Sequence, residues 1–305
     1  MALIGTLLTA LLPSILLVGL GGAVRKRLSD SAWTGLDRLN FEILFPALLF
    51  TAAASRPIDP TQIAVIGPAV WAIMTLGLVL GFAARPHGPA RFLDFAGSWQ
   101  TAWRFNSAVA FVAASALSHA DTALMAIVAG VAVPVANVFA VSALSRGNAL
   151  GLGTTLGRIA LNPFLLGALG GVLVGLSGLS IPPLIFAPLD MLAKAAIPIA
   201  LISLGATMDW RALGRLAPFN AILCGVKLVA LPTVTLATCL LLGADPAITS
   251  ILTIFSALPT ASAAHVLAAG FGADRTLTAT IVAQGTLISV LTLPAWIALI
   301  ELTFR

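Results

Sequence analysis

Residues 100–107 read Gln-Thr-Ala-Trp-Arg-Phe-Asn-Ser, and residues 256–262 read Ser-Ala-Leu-Pro-Thr-Ala-Ser, each inside a long apolar segment. In the first stretch, adjacent polar side chains face several directions of a helix, so that helix is either surrounded by protein or open in its backbone. In the second, Pro259 lacks an N–H group and leaves a carbonyl without its partner, which breaks or kinks the helix. Both stretches therefore predict interrupted helices.

The composition excludes most soluble classes of protein. Of the 305 residues, 59% are apolar and 9% are charged. A soluble domain carries about 25% charged residues. The net charge of +5 comes from basic residues scattered over short loops, so it does not indicate a nucleic-acid partner. We therefore predict an all-α polytopic membrane protein and exclude a soluble enzyme and a disordered chain.

The apolar runs predict about ten membrane-spanning helices, since each needs about 20 mostly apolar residues. The loops between them are too short for a soluble domain. The apolar start of the chain is followed, not preceded, by basic residues, so we interpret it as a retained first helix. The predicted segments are 2–24, 36–55, 61–84, 94–117, 122–144, 159–178, 186–207, 217–242, 246–269 and 275–300.

The basic residues predict the orientation of these helices. Lys and Arg collect on cytoplasmic loops, and alternate loops of this chain differ strongly in their Lys and Arg content. The basic side is therefore predicted to face the cytoplasm, with both termini outside the cell (inner) membrane. That side carries Arg25, Lys26, Arg27, Arg85, Arg91, Arg146, Arg158, Arg211, Arg215 and Arg275, and the other carries Arg56 and Arg305.

The sequence also predicts an internal repeat, with residues 1–147 as the first half and 148–305 as the second. Pro46 corresponds to Pro198 at an offset of 152, and similar short matches recur in the same order along the chain. Five segments in each half is an odd number, so the two halves are predicted to lie inverted in the membrane. Inverted repeats are typical of transporters.

A helix break exposes a half-helix N-terminus with about half a positive charge, which favours an anion. Arg104 adds a full charge near the first break, and Asn106 suits an interrupted backbone. At an offset of 153, Asn106 aligns with Pro259. The alternative is that Pro259 is a packing kink and Asn106 forms an interhelical hydrogen bond. The candidate substrate-binding residues are Arg104, Asn106, Ser107, Pro259, Thr260, Ser262, His265 and Gln284.

Several of these residues have a second interpretation. Arg104 could instead snorkel to the interface or pair with Asp94. His265 could be a substrate ligand, a proton carrier or an ordinary buried histidine. Gln284 and Asn137 could reach the same cavity or bond across helices.

The other ionisable residues of the segments have simpler interpretations. Asp190 and Lys194, at i and i+4, favour a self-neutralised interfacial pair. Asp37 and Glu42 favour a solvated or snorkelling cluster near a helix end, and Lys227 is either deep or snorkelling.

The sequence predicts neither a cofactor nor enzyme chemistry. Cys224 and Cys239 lie in one apolar segment and are interpreted as small buried hydrophobic residues without a disulfide. Neither has His, Cys or Asp neighbours at metal-ligand spacing, so no metal site is expected. An intramembrane enzyme would need a nucleophile–base pair or a metal cluster, and the sequence offers neither.

The chain resembles the auxin efflux carrier family, the bacterial relatives of the plant PIN-type auxin carriers within the bile-acid, arsenite and riboflavin transporter superfamily. The resemblance runs along nearly the whole chain in a specific order. The matching stretches are 39–49, 162–167, 189–208, 227–232, 257–261 and 293–294.

This resemblance implies ten helices in two inverted repeats, with helices 4 and 9 broken and crossing at 106–107 and 259–260. It also implies a scaffold of helices 1, 2, 6 and 7, whose surface Pro46 and Pro198 would shape. The remaining helices would form a transport unit that moves like an elevator. Members are commonly homodimers that carry organic anions.

Two departures from the family pattern limit what can be transferred. Residues 109–114 lack the Gly-x-Pro that often follows the helix-4 Asn, so the first break could be milder than usual. Only residues 145–158 separate the halves, so auxin itself and regulation through a long loop are not supported.

The leading hypothesis is a uniporter or secondary carrier for a small organic anion, such as a dicarboxylate or an aromatic carboxylate. The alternative is a sodium-coupled symporter of the bile-acid type, which needs a cage of oxygen ligands around the cation. An intramembrane enzyme and a channel are less favoured. The residues that could supply the oxygen cage are Gln100, Asn106, Ser256 and Gln284.

Overall fold

In the computed structural model of the chain, the described residues are helical or lie in turns and connections, with no strand among them. Ser107, the basic residues Arg56, Arg158 and Arg305, and the beginning of the first predicted segment lie outside them. The described residues are 12–13, 16–54, 60–106, 109–110, 113–114, 116–117, 122–148, 153–154, 157, 160–179, 181–208 and 210–304.

The helices follow the predicted segments closely. We number them by segment, and α1 is the helical run 16–24. α2 joins Asp30–Leu39, a π-helical turn Asn40–Leu44 and Phe45–Ala54, and α8 joins Pro218–Gly225, a π-helical turn Val226–Ala230 and Leu231–Leu241. The others are α3 (Pro60–Phe82), α4 (Phe92–Trp99), α5 (Thr122–Gly147), α6 (Pro163–Ser177), α7 (Pro183–Thr207), α9a (Pro246–Ala257), α9b (Ala263–Gly270) and α10 (Arg275–Thr303).

Four described helical runs are long and apolar enough to cross a membrane by length and composition: Ile127–Gly147, Pro183–Thr207, Pro218–Leu241 and Arg275–Thr303. Shorter apolar helices accompany them at Ile66–Phe82, Pro163–Ser177 and Pro246–Ala257. This confirms a multi-pass helical membrane protein. The ten-helix inverted repeat and the orientation remain predictions.

The second helix begins earlier than the hydropathy pattern predicted. It starts at Asp30 instead of residue 36, and the side chain of Ser29 caps it by accepting a hydrogen bond from the Ala32 N–H at 3.3 Å. The difference arises because the first turns of α2 are polar, whereas a hydropathy window detects only apolar residues. The N-cap is the stronger signal for a helix start.

Glycines allow close approach between α1, α2, α6 and α7. A Cβ atom at Gly171 of α6 would lie 2.4 Å from the Phe50 carbonyl oxygen of α2, and one at Gly167 would lie 2.5 Å from the Pro46 carbonyl oxygen. A Cβ atom at Gly205 of α7 would likewise collide with the backbone of α1. Small residues of this kind let membrane helices pack backbone to backbone.

Each of the two π-helical turns ends two residues before a proline. Pro232 follows the turn in α8 and cannot donate to the Leu228 carbonyl, which instead accepts a hydrogen bond from the Trp296 indole of α10 at 2.9 Å. Pro46 follows the turn in α2. Such turns inside helices often mark functional regions, and the adjoining site is described next.

Candidate functional site

The fourth segment loses its helical form in the polar stretch. α4 ends at Trp99, a 3-10 turn covers Gln100–Ala102, and residues 103–106 are not helical. The Gln100 side chain is buried and donates from Nε2 to the Gly97 carbonyl at 2.9 Å and to the Ala264 carbonyl of α9b at 3.1 Å. The polar cluster therefore breaks the backbone, and its first side chain already contacts the other interrupted helix.

The ninth segment is interrupted at Pro259, and the two breaks meet there. α9a ends at Ala257 and α9b begins at Ala263. The backbone N–H of Asn106 donates to the Pro259 carbonyl at 2.8 Å. Thr260 Oγ1 donates to the Thr101 carbonyl at 2.6 Å. The residues that aligned at the repeat offset thus lie in direct contact.

Arg104 lies inside the protein beside this contact, with 4% of its surface exposed. Its Nη2 donates to Asn137 Oδ1 at 2.7 Å, and its buried Nε has no hydrogen-bond partner. No described carboxylate lies within ion-pair distance of it. Asp94 instead lies 3.6 Å from Arg91 and accepts from the Asp274 N–H at 2.9 Å, so the alternatives of snorkelling and of pairing with Asp94 are wrong.

A cavity of about 370 Å³ opens next to Arg104 and the two breaks. Most of its wall is apolar, with side chains from α2, α5, α6 and α7. Phe45 and Ile197, which precede the paired prolines Pro46 and Pro198, are among them. The polar residues of the wall are Arg104, Asn106, Asn137 and Ser262.

The structure does not bring every candidate residue to this cavity. Pro259 and Thr260 bind the opposite break, as described above, and do not line it. His265 is fully buried on a different side, close to α7. Gln284 Oε1 accepts from Asn220 Nδ2 at 2.8 Å, because its position on α10 faces α8. Asn137 lines the cavity but was not among the candidate substrate-binding residues. The one sequence feature that marks it is a polar amide one turn after Pro134 in an apolar segment.

Lys227 is deep and does not snorkel. It is 3% exposed, and its Nζ donates to the Ser256 carbonyl in the last turn of α9a at 3.0 Å. That carbonyl lies at the negative end of the half-helix, which a cation stabilises. A small cavity of about 10 Å³ beside it is lined by residues of both breaks, Thr101 and Thr260.

The remaining ionisable residues divide into exposed pairs and one buried group. Asp190 and Lys194 form the predicted ion pair, with their charged atoms 2.5 Å apart, and both side chains are exposed. Glu42 pairs with Arg38 at 2.8 Å on the surface. The interpretation of Asp37 as part of a solvated cluster is wrong, because it is 2% exposed and bonded to other helices. The described residues contain no group of three or more His, Cys, Asp or Glu that could hold a metal ion.

Comparison with known proteins finds similarities to part of this chain. Residues 150–297 match the family model described as membrane transport protein. A protein of Rhizobium meliloti (strain 1021) named "Putative malonate transporter" is 30% identical over 145 residues. That alignment covers 47% of this chain and 45% of the relative, so the chain spans less than half of the relative's length. The second half of the chain is therefore similar to membrane transport proteins, and these similarities do not single out the auxin carriers.

Proposed function

We propose that this protein transports a small organic anion across the cell (inner) membrane through the site at the two helix breaks. The observation that carries the proposal is Arg104, a buried cation at a cavity wall, with an unpartnered Nε and no described carboxylate beside it. A buried charge without a partner is strongly unfavourable, and a bound carboxylate relieves that cost. The cavity is therefore suited to bind an anion reversibly.

The cavity supports a substrate of a few carbon atoms with one or two carboxylates. Its volume of about 370 Å³ is at the small end of ligand sites. Arg104 provides the full charge, and Ser262 and Ala263 place the positive end of α9b on the same wall. A dicarboxylate could place one carboxylate at Arg104 and the other at the positive end of α9b. Malonate, which appears in the name of the relative, is a dicarboxylate.

The position of the cavity supports an elevator-like mechanism. One wall comes from α2, α6 and α7, and the other comes from α5 and the two breaks. Glycines join α6 closely to α2 and α7 closely to α1. We propose that α1, α2, α6 and α7 form a scaffold and that the remaining helices slide past it with the anion. The same proposal includes two halves in inverted orientation, both termini outside the membrane, and a homodimer.

Sodium coupling is the less favoured mechanism. In sodium-coupled carriers, carbonyls at half-helix C-terminal ends coordinate the ion. Here the Lys227 ammonium already contacts the Ser256 carbonyl at that end of α9a. Gln284, one of the residues considered for an oxygen cage, is bonded to Asn220. We propose that Lys227 supplies a built-in cation at this position.

Uptake by the purified protein in proteoliposomes tests the proposal. Radiolabelled malonate should enter, and unlabelled malonate or succinate should compete, while empty liposomes show no uptake. The same anions should raise the melting temperature of the protein, because a ligand that binds the folded state stabilises it. If malonate, succinate and benzoate all fail in both assays, the organic-anion proposal is wrong.

A further inference from the structure

Asp37 is a buried carboxylate that the substrate site does not use. It lies on α2 and is 2% exposed. Its Oδ1 accepts a hydrogen bond from Ser203 Oγ of α7, and its Oδ2 accepts from Arg275 Nη1 of α10 at 3.0 Å. One carboxylate therefore joins three helices, and its counter-charge comes from the far end of the chain.

His265 completes the group from α9b. It is fully buried, with Nε2 3.2 Å from Thr207 Oγ1 and 3.7 Å from Asp37 Oδ2, and its Nδ1 has no partner among the described residues. A neutral imidazole with its proton on Nε2 fits this arrangement, because Nδ1 is then an acceptor and leaves no buried donor unbonded. The group is then neutral overall, with Asp37 balanced by Arg275.

The group bridges the two sets of helices that the proposed function separates. Asp37 and Ser203 belong to the proposed scaffold, whereas His265 and Arg275 belong to the proposed transport unit. If the transport unit slides past the scaffold as proposed, Asp37 keeps its bond to Ser203, which lies in the scaffold, and loses its contacts with His265 and Arg275. A buried carboxylate without a cationic partner neutralises by taking up a proton.

We propose that Asp37 is a proton-binding site, ionised in the conformation described here and protonated when the two sets of helices have moved, so that anion transport is coupled to one proton. This inference rests on the proposed function. The proton comes from water and binds Asp37 Oδ2 as Arg275 leaves, and it returns to water when the ion pair forms again. A conformation that binds one more proton gains population by up to about tenfold for each unit of pH lowered.

The other charged groups near Asp37 are already paired or are basic, so Asp37 is the group to which we assign the proton. On α2, Arg38 and Glu42 pair with each other at the surface, and on α7, Asp190 and Lys194 do the same. From α9b and α10, the titratable or charged groups that contact Asp37 among the described residues are His265 and Arg275.

A cysteine pair can report how often this conformation is populated. A Cβ atom at Gly270 of α9b would lie 2.9 Å from Phe41 Cγ of α2, near the place that a cysteine sulfur at position 41 would occupy. The double variant Phe41→Cys, Gly270→Cys should therefore form a disulfide across the two sets of helices. Replacing the native Cys224 and Cys239 by Ala removes competing thiols.

The initial rate of this cross-link is measured on the purified protein without substrate, between about pH 5 and about pH 8, with Asp37 and with Asp37→Asn. The Asn variant imitates the protonated carboxylate and also corrects for the reactivity of the thiols themselves. The rate with Asp37 should exceed that with Asn at least tenfold at the high-pH end, and the ratio should approach one at the low-pH end. The exposed Glu42→Gln on the same helix should leave the wild-type profile unchanged.

A ratio that stays constant with pH overturns the proposal. If Asp37→Asn does not fold, Arg275→Gln serves instead and should flatten the cross-linking profile relative to that of the protein with Arg275, because Asp37 then lacks its arginine partner in both conformations. A profile that keeps its full pH dependence in Arg275→Gln contradicts a proton site held by this ion pair. The assay uses no anion, so a pH-dependent cross-link without malonate uptake refutes the proposed function alone, and uptake with a pH-independent cross-link refutes the proton site alone.

Discussion

At the scale of residues, we expect Arg104 to decide the chemistry of the proposed site. Its guanidinium is held by Asn137 at 2.7 Å, while Nε remains without a partner, so an entering carboxylate meets a fixed and incompletely bonded cation. The Asn137 amide in turn donates to the Val133 carbonyl at 2.9 Å. That second bond holds the amide so that its oxygen points at Arg104, and the site is therefore pre-organised.

We expect Arg104→Gln to lower the affinity for malonate by about ten- to a hundredfold, or about 1.5–3 kcal/mol, the usual range for a hydrogen bond to a charged group. Arg104→Lys should recover only part of this, because an ammonium lacks the planar fork. Isothermal titration of the purified variants measures both. Arg91→Gln, at the exposed start of the same segment, is the matched control, and equal affinities for all three variants and the wild type would remove Arg104 from the site.

At the scale of elements, the break in the ninth segment holds the two interrupted helices together. The Pro259 carbonyl accepts the Asn106 N–H, and Pro259 itself supplies no N–H to continue α9a. Pro259→Ala restores that donor and favours a continuous helix, so uptake should fall at least about tenfold while membrane insertion persists.

Pro68→Ala is the control for this substitution, because Pro68 lies inside the continuous helix α3. Uptake per molecule of inserted protein is compared in proteoliposomes. Normal uptake by Pro259→Ala would show that the break does not depend on the proline.

The packing of α6 on α2 allows a second prediction at this scale. Gly171→Ala places a Cβ atom 2.4 Å from the Phe50 carbonyl oxygen, so the helices must separate, and the free energy of unfolding should fall by about 1–3 kcal/mol. In Gly170→Ala the nearest atom lies 3.5 Å away, so this neighbour should be neutral or slightly stabilising. Thermal unfolding in detergent compares them, and equal melting temperatures would contradict the close approach.

At the scale of the whole molecule, we expect the ammonium of Lys227 to make a coupling sodium ion unnecessary for the proposed transport. It occupies the carbonyl end of α9a, the place where a coupling sodium ion would bind. Malonate uptake should therefore be the same in sodium and in choline buffers, and Lys227→Ala should reduce it in both. A sodium requirement in the wild type would favour the symporter instead.

The orientation is the other property of the whole molecule that an experiment can settle. Leu216 precedes α8 and Leu242 follows it, and both are exposed. Cysteines at these positions, without the native ones, should behave oppositely towards an impermeant thiol reagent added to intact cells. The positive-inside rule predicts that position 242 reacts and position 216 is protected, and the reverse pattern would invert the topology.

The sequence by itself determined the membrane class, the helix positions and the two breaks. These properties are local: about 20 apolar residues span a bilayer whatever surrounds them, and Pro259 lacks its N–H in any context. The polar cluster around Gln100 was equally readable, since adjacent polar residues cannot all face one side of a helix. The start of α2 at Asp30 was missed because its first turns are polar.

Only the tertiary structure decided which polar side chains meet. Asp37 and Arg275 are 238 residues apart in the chain, and no spacing rule connects them. The sequence left open whether His265 and Gln284 contact the substrate or other helices, and the fold turns those side chains towards Asp37 and Asn220. The sequence alone allowed Arg104 to snorkel or to pair with Asp94, and the fold instead encloses it beside Asn137. The partner of a buried charge depends on how the helices pack. The free-energy cost of burying a charge is set by the groups that surround it in space and not by its neighbours along the chain.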